Sequence, residues 1–333
     1  MQPVSERRRF GRVGVGVVLL SCATLSVAQA VSDPAQWLSR MRQAATNRTY
    51  QGTMAFFAGS QVTSSRVTHI SEGRERYERI EALDGQMRQQ FRHNGAVLTL
   101  WPQTKVAVIE QIEPIADFPA LPASSQRALE SYELKSMGAD RVAGHEAEVL
   151  LLKPRDALRF GQRLWAERET GLLLRTEVLG AKGEVIESAS FTDLAIGGKL
   201  ASDSVLKPMK KKLDGYRIVR PQAQSTQLDT EGWSLKGSVP GFHLLNCVKR
   251  PLDATGGEGV ADLQVLQSVF SDGLTHVSVF IERFDAQRHK PMRTMLGATH
   301  TLMNRHGDWW VTIVGDVPMA TVQQFESLLQ RRP

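Results

Sequence analysis

A period of two in the apolar residues restricts the first half of this chain to a β-sheet more tightly than any other feature. The alternation begins at residues 50–57, and further extended runs follow at residues 66–70, 76–83, 86–92 and 97–101. Each run is short enough for one strand of a globular protein. The sequence therefore predicts several strands in succession rather than helices.

The residues between these runs predict tight connections. Asp84-Gly85 and Asn94-Gly95 supply the positive-φ residues that a two-residue hairpin needs, so neighbouring strands should be antiparallel. Strands are predicted again at residues 146–152, 163–167, 172–179 and 184–191. A large meander with so few helices cannot cover both of its faces, so it must curl around its own side chains or around a guest.

Two covering segments accompany this sheet. Asp33-Pro34 begins a helix, because Asp is a good N-cap and Pro is favoured at the first helical position, and Trp37 and Met41 then recur at helical spacing. The proline-rich residues 114–122 cannot join a ladder easily and predict a covering loop, followed by a helix over residues 124–132.

A second domain follows a break in the pattern. Apolar periodicity fades over residues 197–227, where four lysines cluster: Lys207, Lys210, Lys211 and Lys212. This predicts a solvated linker, and attraction to an anionic membrane or an acidic partner is the alternative. Strands are then predicted at residues 242–248, 263–270, 274–281, 294–299 and 309–314, with a closing helix over 319–329. The fold class is α+β, with a domain at 31–200, a linker at 201–227 and a domain at 228–333.

The first thirty residues predict export. Arg7-Arg8-Arg9 precedes an apolar run that ends near Ala28-Gln29-Ala30, which is the arrangement of a signal peptide with its cleavage site. The apolar run is shorter than the roughly 20 residues of a membrane-spanning helix, which is the alternative. Leu19 to Cys22 loosely resembles a lipoprotein box, which leaves lipidation of Cys22 open, and Arg8-Arg9-Phe10 faintly resembles a twin-arginine signal.

The mature chain offers little chemistry. Export removes nucleic acid from the expected partners. Removing residues 1–30 also lowers the formal net charge from +6 to +3, so much of the basicity lies in the signal peptide. Cys247 becomes the only cysteine, which excludes an internal disulfide and predicts a small buried side chain rather than a reactive thiol. No metal-binding histidine spacing, nucleophile elbow or phosphate loop is present, so we expect neither an enzyme nor a metal or other cofactor.

Apolar bulk remains the main functional signal. The strands of the first domain carry more large apolar side chains than a one-sided sheet needs, and we predict that these line a groove for an acyl chain. The candidate lining residues are Phe56, Phe57, Leu98, Leu100, Trp101, Val108, Leu150, Leu152, Trp165, Leu172 and Leu174. The alternative is that all of them are core.

Several segments in both predicted domains form a recognisable pattern. They are Tyr50-Gln51-Gly52-Thr53, Arg66-Val67-Thr68-His69, residues 78–85, 140–145, 154–156, 159–165, 170–174, 191–193, 269–274 and 314–318. Together these segments resemble the MucB/RseB family along the whole mature chain.

This resemblance implies a periplasmic negative regulator of the envelope-stress sigma factor, sigma-E or AlgU. Such a protein binds the periplasmic part of an RseA/MucA-type anti-sigma factor and shields it from the site-one protease. The resemblance further implies that lipopolysaccharide or mislocalised lipoprotein relieves the inhibition. The resemblance also implies a LolA-like first domain, an unclosed antiparallel barrel capped by helices, a second domain with much of the anti-sigma contact, and homodimers. The competing hypothesis is a LolA-like carrier of lipoproteins or lipids.

Overall fold

The first helix is built as its apolar spacing predicts. The computed structural model describes residues 34–111, 119, 121–122, 127–251 and 264–332. Helix α1 spans Pro34–Asn47 and buries Trp37, Leu38 and Met41 on one side. Residues at these spacings share one helix face, so a single stripe packs on the sheet beneath. The predicted signal peptide and Cys22 lie outside the described residues.

A twelve-stranded sheet forms the larger part of the molecule. Its strands are β1 (Tyr50–Ala58), β2 (Gln61–Glu72), β3 (Glu75–Ala82), β4 (Gln89–His93), β5 (Ala96–Trp101), β6 (Val106–Gln111), β7 (Tyr132–Val142), β8 (His145–Pro154), β9 (Gly161–Glu167), β10 (Leu173–Leu179), β11 (Val185–Ile196) and β12 (Arg217–Val219). Their order is β12-β6-β5-β4-β3-β2-β1-β11-β10-β9-β8-β7. Among the twelve strands that the structure describes, only the β12–β6 pair is parallel, and the end strands β7 and β12 do not pair with each other, so this sheet is unclosed.

Three helices cover parts of this sheet or its edge. Helix α1 packs over β8, β9 and β10, and the short helix α2 (Ala128–Ser131) leads into β7. Helix α3 (Asp203–Lys210) places Val205 against β3, β4 and β5. The predicted architecture, an unclosed and mainly antiparallel sheet with covering helices, is confirmed.

The second sheet is smaller, and a helix packs against it. It contains β13 (Gln224–Ser225), β15 (His243–Pro251), β16 (Gln264–Ser271), β17 (His276–Arg283), β18 (Met292–Leu296), β19 (Thr299–His306) and β20 (Trp309–Gly315), in the order β13-β15-β16-β17-β20-β19-β18. Helix α4 (Met319–Leu328) buries Val322 and Phe325 against it. Strands β14 (Trp233–Leu235) and β21 (Leu329–Arg331) form a separate pair beside α4.

Of the two predicted tight hairpins, one is confirmed and one is wrong. Asn94 has φ +51°, and His93 pairs with Ala96 across a two-residue turn. Residues 83–88 form a longer connection at the other position. There the carboxylate of Asp84 accepts the Ser64 hydroxyl at 2.6 Å, so Asp84 fastens the loop to β2 instead of forming a tight turn.

Several elements differ from the pattern-based prediction. Strands β6 and β7 were not predicted, and β7 is mostly exposed and polar, which removes the apolar period. Residues 294–299 are not one strand, because Gly297 adopts φ +58° and turns the chain between β18 and β19. Of the helix predicted over 124–132, the described part is α2, and Tyr132 already begins β7. Most of the predicted covering loop at 114–122 lies outside the described residues.

The predicted linker contributes to the first sheet. Helix α3 and strand β12 both lie within it, and β12 pairs with β6 at the open edge. The lysine-rich composition hides this, because Lys207 and Lys210 occupy the solvent side of α3 while Val205 is fully buried. The sheet therefore extends along the chain to Val219.

Candidate functional site

The apolar residues predicted to line a groove are mostly packed inside the molecule. Buried are Leu98, Leu100, Val108, Leu150, Leu152, Trp165, Leu172 and Leu174. Trp101 is half-buried, whereas Phe56 and Phe57 are 41% and 36% exposed. The structure does not bring these eleven side chains together as one continuous lining. An acyl groove here therefore stays a prediction, and it requires some of this packing to open.

Helix α3 covers one group of these residues. Leu98 and Leu100 pack with Phe91 and Tyr77 on the sheet, and Val205 of α3 closes the cluster from above. Leu206 and Met209 are half-buried against the same cluster. Burying such side chains contributes roughly 1.5–3 kcal/mol each, so α3 occupies an apolar surface that would otherwise be open.

Helix α1 covers the other two groups. Leu150 and Leu152 pack against Leu38 and Met41, both of which are fully buried. Leu172 and Leu174 belong to a neighbouring cluster that also contains Trp165, Tyr50, Phe191 and Ala44. These residues pack against core residues of the helix and of the adjoining strands, so their first role is to stabilise the fold.

Trp165 is fixed by polar groups as well as by packing. Its indole N–H donates to Asp140 of β7 at 2.8 Å, and the Arg175 guanidinium lies 4.7 Å from its ring centroid. Arg175 and Arg163 both bind the buried carboxylate of Glu177, Arg163 at 2.9 Å. Cation–π contact and charge-assisted hydrogen bonds hold the ring in one orientation. Trp165, on β9, thus connects β7 and β10 through these two contacts.

A small apolar surface is exposed where β1 meets β2. Phe57 pairs in register with Val62, which is 66% exposed, whereas Phe56, the preceding residue of β1, points to the other face of the sheet. Val185, which is 40% exposed, lies on the adjacent strand β11. Exposed apolar groups of this kind mark interaction surfaces more often than exposed single residues do. The apolar pattern indicated a role for the two phenylalanines but not for the two valines.

A buried charged cluster joins the two sheets. Arg159, in the β8–β9 loop, donates from Nε to Asp272 at 2.9 Å and from Nη2 to the Pro240 carbonyl at 2.8 Å. It also pairs with Asp156. The side chains of Arg159 and Asp272 are 1% and 0% exposed. A pair this deeply buried is tolerated because further hydrogen bonds satisfy it, and it fixes one sheet against the other.

Tyr132 and Leu274 complete this junction. The Tyr132 hydroxyl donates to Asp272 at 3.2 Å, and burial, reinforced by the Asp272 charge, raises the pKa of Tyr132 well above its ordinary value. The phenol therefore stays protonated and donates. Leu274, in the β16–β17 turn, inserts into the cluster formed by α1 and the first sheet. The family-like motifs contained Arg159, Asp272 and Leu274, but spacing alone did not show that they meet.

The second sheet carries a cavity that no sequence pattern indicated. It has a volume of about 250 Å³ and is lined by Glu231, Trp233, Lys249, Gln264, Leu266, Ile281, Glu282, Arg283 and Trp309. The two indole rings meet edge to face at 5.8 Å, and Arg283 stacks over Trp309 at 4.2 Å. Lys249 pairs with Glu231 at 2.8 Å. Apolar walls with a charged rim suit a single side chain of a partner better than a large ligand.

The buried side chains of His69 and Glu167 make hydrogen bonds that stabilise the fold. His69 bonds the Arg48 carbonyl at 2.8 Å, and burial lowers its pKa. Glu167 is buried although its side chain carries a carboxyl group. Burial opposes its ionisation, but hydrogen bonds from Thr170 and Glu169 outweigh this and lower its pKa, so it anchors the β9–β10 turn. Within the described ranges, no group of three or more His, Cys, Asp or Glu side chains could hold a metal ion.

Cys247 lies in the core of the second sheet. It is 5% exposed, receives the Ser268 hydroxyl at 3.2 Å, and burial raises the pKa of its thiol. A protonated, enclosed thiol is a poor nucleophile.

In the part of the chain that the structure describes, no helix has the length and apolar character needed to cross a membrane.

Comparison with known proteins gives consistent matches over both sheets. Residues 33–209 match the MucB/RseB N-terminal domain and residues 227–330 match the MucB/RseB C-terminal domain. The sigma factor AlgU regulatory protein MucB of Pseudomonas aeruginosa is 29% identical over 314 residues, covering 92% of this chain and 94% of that protein.

Solved structures of similar proteins include complexes. A crystal structure of MucB in complex with MucA(peri) has 26% identity and a TM-score of 0.68, covering 90% of this chain and all of the MucB chain. The Pseudomonas aeruginosa MucA/MucB complex has 26% identity and a TM-score of 0.69, covering 91% of this chain and all of the matched chain. The similarity thus extends over both sheets and is not limited to one of them.

Proposed function

This chain belongs to the MucB/RseB family, and we propose that it is a periplasmic regulator that binds the periplasmic region of an RseA/MucA-type anti-sigma factor. The observation that carries this proposal is the likeness, over 90% of the chain, to a MucB crystallised with MucA(peri). Both sheets are included in that likeness. The buried Arg159–Asp272 pair supports the same function, because it gives a partner that touches both sheets a fixed surface.

The regulator acts by protection and release. When it is bound to the anti-sigma factor, it prevents the site-one protease from cleaving that factor. Lipopolysaccharide or mislocalised lipoprotein releases the anti-sigma factor and so restores cleavage. A lipid can shift such an equilibrium only if it binds the partner-free and partner-bound arrangements with different affinities. We place that difference at α3, which covers the apolar cluster containing Leu98 and Leu100. An acyl chain that takes the place of α3 would change the structure of the segment joining the two sheets.

The test is a protease-protection assay with purified components. The anti-sigma periplasmic segment is incubated with its site-one protease, with and without a saturating amount of this protein, and lipid A is then titrated. We expect this protein to slow cleavage at least about tenfold, since only the unbound fraction is cut. Lipid A should restore cleavage. Cleavage at the same rate with and without this protein would contradict the protective role.

Two variants of α3 test where the lipid acts. Met209→Ser weakens the packing of α3 on the sheet, so release should need several-fold less lipid A, because less packing must be displaced. Lys207→Ser changes the solvent side of the same helix, where the lysine is 77% exposed, and should leave the lipid dependence unchanged. If both variants respond to lipid A like the wild type, α3 is not the lipid-sensitive element.

A pull-down from envelope extract separates this function from that of a lipid carrier. A regulator should retain one anti-sigma factor, and a carrier should retain a mixture of acylated proteins.

We also propose that residues 31–200 and 228–333 act as the two domains, although α3 and β12 extend the first sheet into the segment between them. Homodimers, which the family suggests, would be detected in the same preparation by light scattering.

A further inference from the structure

Besides the Arg159 cluster, the two sheets meet at Glu187. The Glu187 carboxylate on β11 accepts the backbone N–H of Ala298 at 3.1 Å, and Ala298 lies in the turn between β18 and β19. Those two residues are 111 positions apart in the chain. This hydrogen bond is therefore a contact between the larger and the smaller sheet.

The turn approaches the first sheet closely because it contains a glycine. A Cβ on Gly297 would lie 2.8 Å from a Glu187 carboxylate oxygen and 2.9 Å from the Cβ of Ala58. Gly297 also has φ +58°, a conformation that side chains disfavour. The backbone of one sheet thus covers the carboxyl group of the other, and Ala58 beneath it is only 3% exposed.

The groups around Glu187 disfavour its negative charge. Its neighbours in register are Ala58 on β1 and Val178 on β10, both apolar. The charged side chain that faces it is Asp316, in the loop after β20, which also accepts the Thr299 hydroxyl at 2.6 Å. Burial raises the pKa of Glu187 to about 7, against the opposing hydrogen bond from Ala298, and the Asp316 charge adds to the rise.

We propose that the contact between Glu187 and the Gly297–Ala298 turn is a proton-operated latch between the two sheets, closed while the carboxyl is protonated and loosened when it ionises. The inference goes beyond the proposed function and does not depend on it. The contact between Arg159 and Asp272 is of a different kind, because there the carboxyl group has a cationic side chain as its partner. Other contacts also join the two sheets, among them the hydrogen bond that the Thr321 hydroxyl donates to the Leu158 carbonyl at 2.7 Å, so the Glu187 latch acts on one part of the junction.

The direction of the pH effect follows from proton linkage. When the turn moves away, Glu187 becomes hydrated and its pKa falls toward the ordinary glutamate value, so the closed form binds the proton more tightly. The latch is fully stabilised below the ordinary glutamate pKa and loses that stabilisation as pH rises to about 7. Between pH 5 and pH 8 the ratio of closed to open forms should fall on the order of 10- to 100-fold.

Hydrogen exchange measures this latch directly. In the mature protein, we would measure protection factors, which are corrected for the intrinsic pH dependence of exchange, for the amides of residues 297–299 at pH 5 and pH 8. We expect their protection to fall on the order of 10- to 100-fold. The Val279 amide, in the centre of the second sheet, serves as the internal reference and should change little.

Two variants identify the carboxyl responsible. Glu187→Gln keeps the shape and an acceptor oxygen but cannot ionise, so protection of the turn should be high at both pH values. Glu184→Gln, at an exposed position three residues earlier, should keep the wild-type pH dependence. Equal wild-type protection at pH 5 and pH 8, or a loss in Glu187→Gln as large as in the wild type, would overturn the proposal.

Discussion

Replacing Arg159 by methionine should lower the free energy of unfolding by about 3–5 kcal/mol. Methionine fills much of the same volume, but it leaves the carboxylate of Asp272, which is 0% exposed, without its cation. The Pro240 carbonyl also loses its donor. Both losses occur between the sheets, so the variant should also unfold with weaker coupling between them. Urea unfolding followed by circular dichroism, with tryptophan fluorescence as a second probe, measures both effects.

The matched control is an arginine in an exposed pair. Arg168 lies 3.4 Å from Glu146, and both side chains are more than half exposed, at 52% and 74%. Water already solvates these charges, so Arg168→Met should change the free energy of unfolding by less than about 1 kcal/mol. If Arg159→Met and Arg168→Met have equal effects, the Arg159 cluster does not hold the sheets together.

The second large effect is expected at Gly52 on β1. A Cβ at this position would overlap the carbonyl oxygen of Asp193 and would also lie 3.1 Å from the Leu194 Cα, both of which are backbone atoms of β11. The pairing of β1 with β11 shifts register between Thr53 and Met54, so the backbones are already irregular there. Because backbone atoms cannot rotate away, Gly52→Ala should cost about 3 kcal/mol or more. The urea midpoint of the purified variant measures this.

A second glycine in the same sheet provides the comparison. Gly161 begins β9, and the nearest atoms to an added Cβ are 3.6 Å away, which is ordinary van der Waals contact. Gly161→Ala should therefore change the free energy of unfolding by no more than about 1 kcal/mol, the range of the glycine-to-alanine difference in a strand. A wild-type urea midpoint for Gly52→Ala would show that β1 and β11 are not packed as closely as described.

Local chemistry predicted the sheet well where the turn residues decide the conformation. Asn94 and Gly95 are the whole connection between two strands, so their backbone preferences determine the hairpin. At Asp84 the same dipeptide chemistry was overruled by a side-chain hydrogen bond to Ser64, twenty residues away. That contact is tertiary, and no local pattern encodes it.

The site was harder to predict than the fold. A leucine packed under a helix and a leucine lining an open groove leave the same strand pattern, so Leu98 and Leu100 could not be distinguished from groove residues without α3 in place. Helix α3 itself was hidden by lysines on its solvent side and by Pro208 within it. Arg159 and Asp272 come from loops 113 residues apart, and only the folded chain brings them together.

The most direct test of the regulatory account is calorimetric titration of the purified mature chain with the purified periplasmic segment of the anti-sigma factor encoded by the same genome. The account predicts saturable binding with a Kd of about 1 μM or tighter, equivalent to roughly 8 kcal/mol or more. It also predicts weaker binding when lipid A is present. Absence of binding at protein concentrations on the order of 100 μM, about a hundredfold above that Kd, would contradict the account.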